Sequence, residues 1–164
     1  MGTPSDEAAP RSLYFGRWKI DGSEVFLETD LSYAFVNLKP VVPGHVLISS
    51  KEVVSRFGDL RAEQVDDMWR LAHRIGPKLE VMHDAQSLTL VIQDGPDAGQ
   101  TVPHVHIHVM PRKKGDFQRN DDIYDELDRN DHSSRERVDS KQKARTPEEM
   151  AAEANVLRSL FQSQ

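Results

Sequence analysis

The sequence predicts an α+β fold, a five-stranded antiparallel sheet with one long helix and a C-terminal helix, and three observations predict it. Short apolar or alternating runs separated by Pro, Gly and Asp recur through residues 17–49 and 87–110, the period-two pattern of strands. Between them, residues 60–83 change to steps of three and four, the pattern of an amphipathic helix. Near the end, Thr146-Pro147-Glu148-Glu149 has the form of a capping box with Pro at the first helical position. A chain of 164 residues accommodates this as one domain with a real core.

Taken in order, residues 1–12 are small, polar and Pro-bearing, and read as a flexible lead-in. Arg17-Trp18-Lys19-Ile20 ends at Asp21-Gly22, and Glu24-Val25-Phe26-Leu27-Glu28 resumes beyond it, a hairpin signal. Tyr33-Ala34-Phe35-Val36-Asn37 follows a second turn. A loop punctuated by Pro40, Pro43 and Gly44 then leads into His45-Val46-Leu47-Ile48-Ser49. In the helix, Val65, Met68, Ala72, Ile75, Leu79 and Met82 form the apolar stripe, and Gly76-Pro77 predicts a kink or a break. Ser87-Leu88-Thr89-Leu90-Val91-Ile92-Gln93 and the run from Val102 to Met110 complete the strand-like runs, from which a five-stranded sheet in hairpin order is expected. Pro103 removes a ladder donor, so that end of its strand is expected at an edge or bulge. Residues 13–127 thus make the domain. Residues 128–145 are almost wholly charged or polar and read as a mobile loop, and 146–164 close the chain with a helix carrying Met150, Ala154, Leu157 and Phe161.

Composition removes several classes of function. There are 21 Lys and Arg against 27 Asp and Glu, a net charge of −6, which predicts no general grip on nucleic acid. The absence of Cys excludes a disulfide scaffold, a thiolate nucleophile and Cys-ligated zinc, and fits a reducing compartment. No apolar stretch approaches the roughly 18–20 residues of a spanning helix, and the first residues carry no signal-like run. The expectation is a soluble cytoplasmic protein, with a nuclear pool possible and no membrane partner.

The chemistry concentrates in His104-Val105-His106-Ile107-His108-Val109-Met110. Three of the seven histidines fall within five residues. On a strand they share one face while Val105, Ile107 and Val109 take the other. A solvated polar face would not call for His in particular. Zinc is the sharper rival, but His104 and His108 stand roughly 13 Å apart on a strand, against Zn–N bonds of about 2.0–2.1 Å. One ion cannot take all three; two could bind with ligands from elsewhere, though HExxH is absent. A row of imidazoles serving as nucleophile and proton-handling groups around an anion remains, since neutral imidazole is nucleophilic near pH 7. The loop Gly95-Pro96-Asp97-Ala98-Gly99-Gln100-Thr101 just before it offers backbone N–H groups to phosphate. Phe15, Ile20 and Phe35 read equally as core or as the flat walls a purine needs.

This His row resembles the motif of the histidine triad superfamily. The flanking runs Gln93-Asp94-Gly95-Pro96-Asp97-Ala98-Gly99-Gln100-Thr101-Val102 and Pro111-Arg112-Lys113-Lys114-Gly115-Asp116-Phe117 are similar to its fragile histidine triad branch. So are residues 36–45 and 119–124. The resemblance implies a histidine triad fold, a homodimer whose two sheets join, and hydrolysis of diadenosine triphosphate to AMP and ADP. It implies His106 as a nucleophile that becomes adenylylated, His108 as donor to an α-phosphate oxygen, and His104 and His45 as holders of the ring network. Gln93, Gln100 and Thr101 would bind phosphates, Gly99 and Val102 would supply backbone, and Asn37 would bond the ribose. Phe15, Trp18, Ile20 and Phe35 would form the adenine slot. No bound cofactor is implied, although Mg or Mn could accompany the polyphosphate. A sister branch that cleaves phosphoramidates, and a role as a nucleotide-bound signal ended by hydrolysis, use the same pocket.

Overall fold

A computed structural model of the protein describes residues 12–131 and 144–162. The lead-in lies outside these residues apart from Ser12, as does most of the 128–145 stretch. Seven strands and three helices are described: β1 (Leu13–Phe15), β2 (Trp18–Ile20), β3 (Val25–Glu28), β4 (Ser32–Val36), β5 (Val46–Ser50), α1 (Ala62–Met82), β6 (Ser87–Val91), β7 (His106–Arg112), α2 (Asp122–Asp131) and α3 (Pro147–Ser159). Five strands form one antiparallel sheet in the order β3-β4-β5-β7-β6.

Three expectations about topology are corrected. The hairpin through Asp21-Gly22 does not form: β2 pairs with β1 as a separate two-stranded ribbon. Residues 22–24 instead turn as a short 3-10 segment capped by Asp21, which accepts from the Ser23 N–H at 2.8 Å. The sheet is not in simple hairpin order, because β7 enters between β5 and β6 and leaves β6 at the edge. The His strand begins at His106 and not at Val102. Pro103 cannot donate, and Val105 N–H bonds the Val54 carbonyl of a loop at 2.8 Å in place of a strand partner.

Alternation then divides the sheet into two environments. Ala34, Val36, Val46, Ile48, Val105, Ile107 and Val109 pack with α1 and α3 on one face. Tyr33, Phe35 and Leu47 go to the other face, where they meet Phe15 and Ile20 of the β1–β2 ribbon, and Val102. The α1 stripe is shifted slightly from its predicted line: Leu71 is buried, whereas Met82 is exposed. Nor does Gly76-Pro77 break α1, which runs 21 residues through it. Pro77 is on the solvent side, where water can satisfy the carbonyl left without a donor. Gly76 lets β6 come close, since a Cβ there would meet Leu88 at 2.6 Å.

α3 starts as its capping box requires, with Thr146 accepting from Glu149 N–H and Glu149 accepting from Thr146 N–H. α2 runs to Asp131, so residues 128–131, read as loop, are helical; Ile123 and Leu127, packed with Val42 and Met110, hold it down. Arg112 is buried and paired with Asp116 at 2.7 Å. Ile107 is fully buried in the main core directly between the two site histidines. Ile107→Ala should cost about 2–5 kcal/mol, measured by chemical unfolding; a cost below 1 kcal/mol would show that this strand face is not close-packed.

Candidate active site

β7 and β5 together place the histidines. His106 and His108 are two apart on β7 and share a face, with Ser49 and Leu47 opposite them on β5. His104 precedes the strand but joins the same cluster, its ring 5.8 Å from that of Phe15. His45 stands just before β5 and brings its ring to within 5.2 Å of His108. All four are buried.

Because a backbone N–H can only donate and a carbonyl can only accept, these contacts fix the tautomers. Val41 N–H donates to His45 Nδ1 at 3.1 Å, so the His45 proton is on Nε2. That Nε2–H faces His108 Nδ1 at 3.0 Å, which must accept, leaving the His108 proton on Nε2. In the other direction, His106 Nδ1 lies 2.7 Å from the His104 carbonyl and must donate, leaving the His106 Nε2 lone pair bare. His104 is pinned at both nitrogens, accepting from Gly16 N–H at 3.1 Å and donating to the Ser50 carbonyl at 2.8 Å. The row thus offers a lone pair at His106 Nε2 and an N–H at His108 Nε2, on rings whose centroids are 4.8 Å apart. Both atoms are buried and have no partner among the described residues.

Burial also keeps His45, His104 and His108 neutral. Desolvation, followed by the influence of His106 and Arg145, pushes His45 down to about 3. Desolvation is likewise the main cause that pushes His104 down to about 4, and it holds His108 well below the ordinary imidazole value.

The remaining predicted residues fall into two groups. Phe15, Ile20 and Phe35 are buried together, with Trp18 half-buried against them, so the adenine-slot candidates form one aromatic cluster. Phe15 meets Phe35 at 5.3 Å and His106 edge-on at 4.8 Å, which ties the cluster to the histidine row. Gln93 Oε1 and Thr101 Oγ1 are buried without partners. Gln100 is different: its Oε1 accepts from Gly95 N–H and its Nε2 donates to the Ser55 carbonyl, both at 2.8 Å, so it staples its loop. Gly99 adopts a positive φ of 92° that favours glycine. The Val102 carbonyl accepts from His104 N–H at 2.7 Å. Asn37 Nδ2 stands 3.4 Å from Nδ1 and 3.3 Å from Nε2 of His45.

Sequence reasoning missed several supports. Arg145 bonds the Asn37 carbonyl through Nε at 3.0 Å and pairs with Glu153, tying the start of α3 to the loop that holds His45. Arg56 and Asp94 pair at 3.0 Å beside the phosphate-loop candidate. No spacing in the sequence marks such long-range partners. Among the described residues, no three His, Asp or Glu side chains converge to hold a metal ion.

A strand that presents alternate imidazoles beside an aromatic cluster, over a five-stranded antiparallel sheet, defines a histidine triad protein. The chain belongs to that family: the HIT domain model matches residues 20–115. Within it, the similarities lie in the fragile histidine triad branch. The chain is 54% identical to a bifunctional bis(5'-adenosyl)-triphosphatase/adenylylsulfatase of Arabidopsis thaliana, over 92% of this chain and 84% of that one. It is 45% identical to the nitrilase and fragile histidine triad fusion protein of Caenorhabditis elegans, over 91% of this chain and 32% of the fusion. The crystal structure of Plasmodium falciparum diadenosine triphosphate hydrolase with cyclomarin A superposes with a TM-score of 0.75 at 30% identity, covering 97% of this chain and 90% of that one.

The neutral histidines make stability depend on pH in a definite direction. Once unfolded, each ring takes a proton near pH 6.5, whereas in the fold His45 and His104 refuse it until about 3 and about 4. Their contribution is complete above pH 6.5 and is lost as pH falls toward 4, by roughly 1.4 kcal/mol per pH unit for each group. Unfolding free energy measured in denaturant from pH 7.5 to 4.5 should fall accordingly. A flat profile would show that the rings are already charged in the fold.

Proposed function

We propose that the protein hydrolyses dinucleoside polyphosphates, diadenosine triphosphate foremost, to AMP and ADP through a nucleotide bonded to His106. The observation that carries this reading is the pair of unpartnered buried atoms, a lone pair on His106 Nε2 beside an N–H on His108 Nε2. The Arabidopsis and Plasmodium relatives, both named for hydrolysis of this substrate, support the choice.

In the first step the His106 Nε2 lone pair bonds the α-phosphorus. The P–O bond to the bridging oxygen breaks, and its electrons leave with the nucleoside diphosphate. His108 Nε2–H donates to a non-bridging α-phosphate oxygen, where charge gathers in the transition state. The His106 ring becomes cationic while it holds phosphorus, and the His104 carbonyl on Nδ1–H stabilises that charge without having to move. Water then attacks phosphorus, the N–P bond breaks with its electrons returning to Nε2, AMP leaves and a proton is released. His45 acts through His108 as a positioning residue.

The adenine base goes to the cluster of Phe15, Ile20, Phe35 and Trp18, and its ribose to Asn37. The phosphates go to Gln93, Thr101 and the backbone of Gly99 and Val102, with Gln100 shaping the loop. A divalent cation, Mg or Mn, comes with the substrate's phosphates, and no bound cofactor is included. The reading also takes in a homodimer, supported by β6 at the sheet edge with Leu90 exposed. A cytoplasmic location with a nuclear pool goes with the family resemblance. Phosphoramidate cleavage by the same nucleophile is the rival, and the unpartnered Thr101 hydroxyl at the loop favours the longer phosphate chain.

His106→Ala should lower kcat on diadenosine triphosphate by about 10^4-fold or more while the nucleotide still binds. His108→Ala should lower it by about 10^2- to 10^3-fold. Rapid quenching of the unaltered protein should trap AMP on the chain in an acid-labile, alkali-stable bond. Turnover by His106→Ala at the normal rate, or no trapped species in a single turnover, would return the attack to water.

A further inference from the structure

Asp128 has no part in the chemistry above, yet it lies against the loop assigned to the phosphates. It is on α2, next to Leu127, which is buried with Ile123, Val42 and Met110 and so sets which side of the helix meets the body of the protein. Asp128 Oδ1 accepts from Gln93 Nε2 at 2.9 Å. Gly99 lies against both groups, since a Cβ there would stand 2.6 Å from Gln93 Nε2 and 2.8 Å from Asp128 Oδ1. One of the two N–H donors that a phosphate would seek on Gln93 is therefore already given to a carboxylate. Oε1 is a buried acceptor with no partner among the described residues, which a phosphate oxygen cannot use, so only the second N–H of the amide is left for it. A phosphate reaching Gln93 must share the amide with Asp128 and remain beside a like charge.

We propose that Asp128 is a specificity-determining residue, an anionic competitor at the phosphate loop that ranks substrates by the charge they carry beyond the α-phosphate. The inference rests on the proposed function and adds a selectivity to it. Repulsion between like charges a few ångströms apart grows with each added phosphate and weakens as salt screens it. A single-phosphate substrate such as an adenosine phosphoramidate bypasses the competition, and a tetraphosphate meets more of it than a triphosphate.

Asp128→Asn isolates the charge, because its side-chain carbonyl can still accept from Gln93. The measurement is steady-state hydrolysis by the full chain, at low ionic strength and a fixed Mg concentration, of diadenosine triphosphate, diadenosine tetraphosphate and adenosine 5'-phosphoramidate. For the triphosphate, KM should fall by about three- to tenfold. It should fall further for the tetraphosphate and stay within about twofold for the phosphoramidate. Added salt should narrow the gap between the variant and the unaltered protein. Equal changes on all three substrates, or none, would overturn the inference. So would equal losses in both Asp128→Asn and Asp128→Ala, which would make Asp128 merely a support for Gln93. If the unaltered protein hydrolyses neither polyphosphate, the proposed function itself fails, and the inference with it.

Discussion

The direction of two hydrogen bonds governs this site. Val41 N–H must donate to His45, and the His104 carbonyl must accept from His106. The first, passed through His45, puts a proton on the outer nitrogen of His108; the second takes one away from the outer nitrogen of His106. An identical pair of residues thus becomes an acid and a base without any difference in their side-chain chemistry. Backbone groups cannot reverse donor and acceptor, so the assignment is as rigid as the fold. Burial reinforces it by making the charged rings costly.

The sheet makes this possible by separating two kinds of work. One face gives Ile107, Val109, Ile48 and Ala34 to a close-packed core under α1 and α3, which holds β5 and β7 at fixed register. The opposite face is then free to carry buried polar rings, covered by the β1–β2 ribbon and its aromatic cluster. Phe15 belongs to both roles, as a core residue and as the edge that meets His106. Asn37, His45 and Arg145 extend the same support, so the far end of the chain steadies the loop between β4 and β5 that holds His45. Precise placement of this kind is what makes preformed donors effective in phosphoryl chemistry.

Much of this was legible in the sequence. Alternation alone puts His106 and His108 on one face and Ile107 on the other, and the capping box fixes where α3 begins. The flanking motifs carried the family. What was not legible has common physical causes. The turn at Asp21 closes a 3-10 segment because β2 finds its partner before it in the chain, in β1, which no turn signal reveals. β7 inserts between β5 and β6, and pairing order in a sheet depends on long-range packing that periodicity does not encode. Gly76-Pro77 passes through α1 because the lost hydrogen bond faces solvent, a matter of orientation and not of composition. Gln100 looks like a phosphate ligand in sequence, but its partners, Ser55 and Gly95, show a loop staple. Arg145 and Asp128 were invisible because each acts on a residue far away along the chain.

The central claim is that His106 presents an unprotonated Nε2 beside a protonated Nε2 on His108. Long-range proton–nitrogen NMR correlation of the imidazoles in the labelled protein at pH 7 reads this directly. The account predicts His106 as the Nδ1–H tautomer, and His45 and His108 as Nε2–H tautomers, all three neutral. A His106 ring that carries its proton on Nε2, or that is cationic at pH 7, would contradict it.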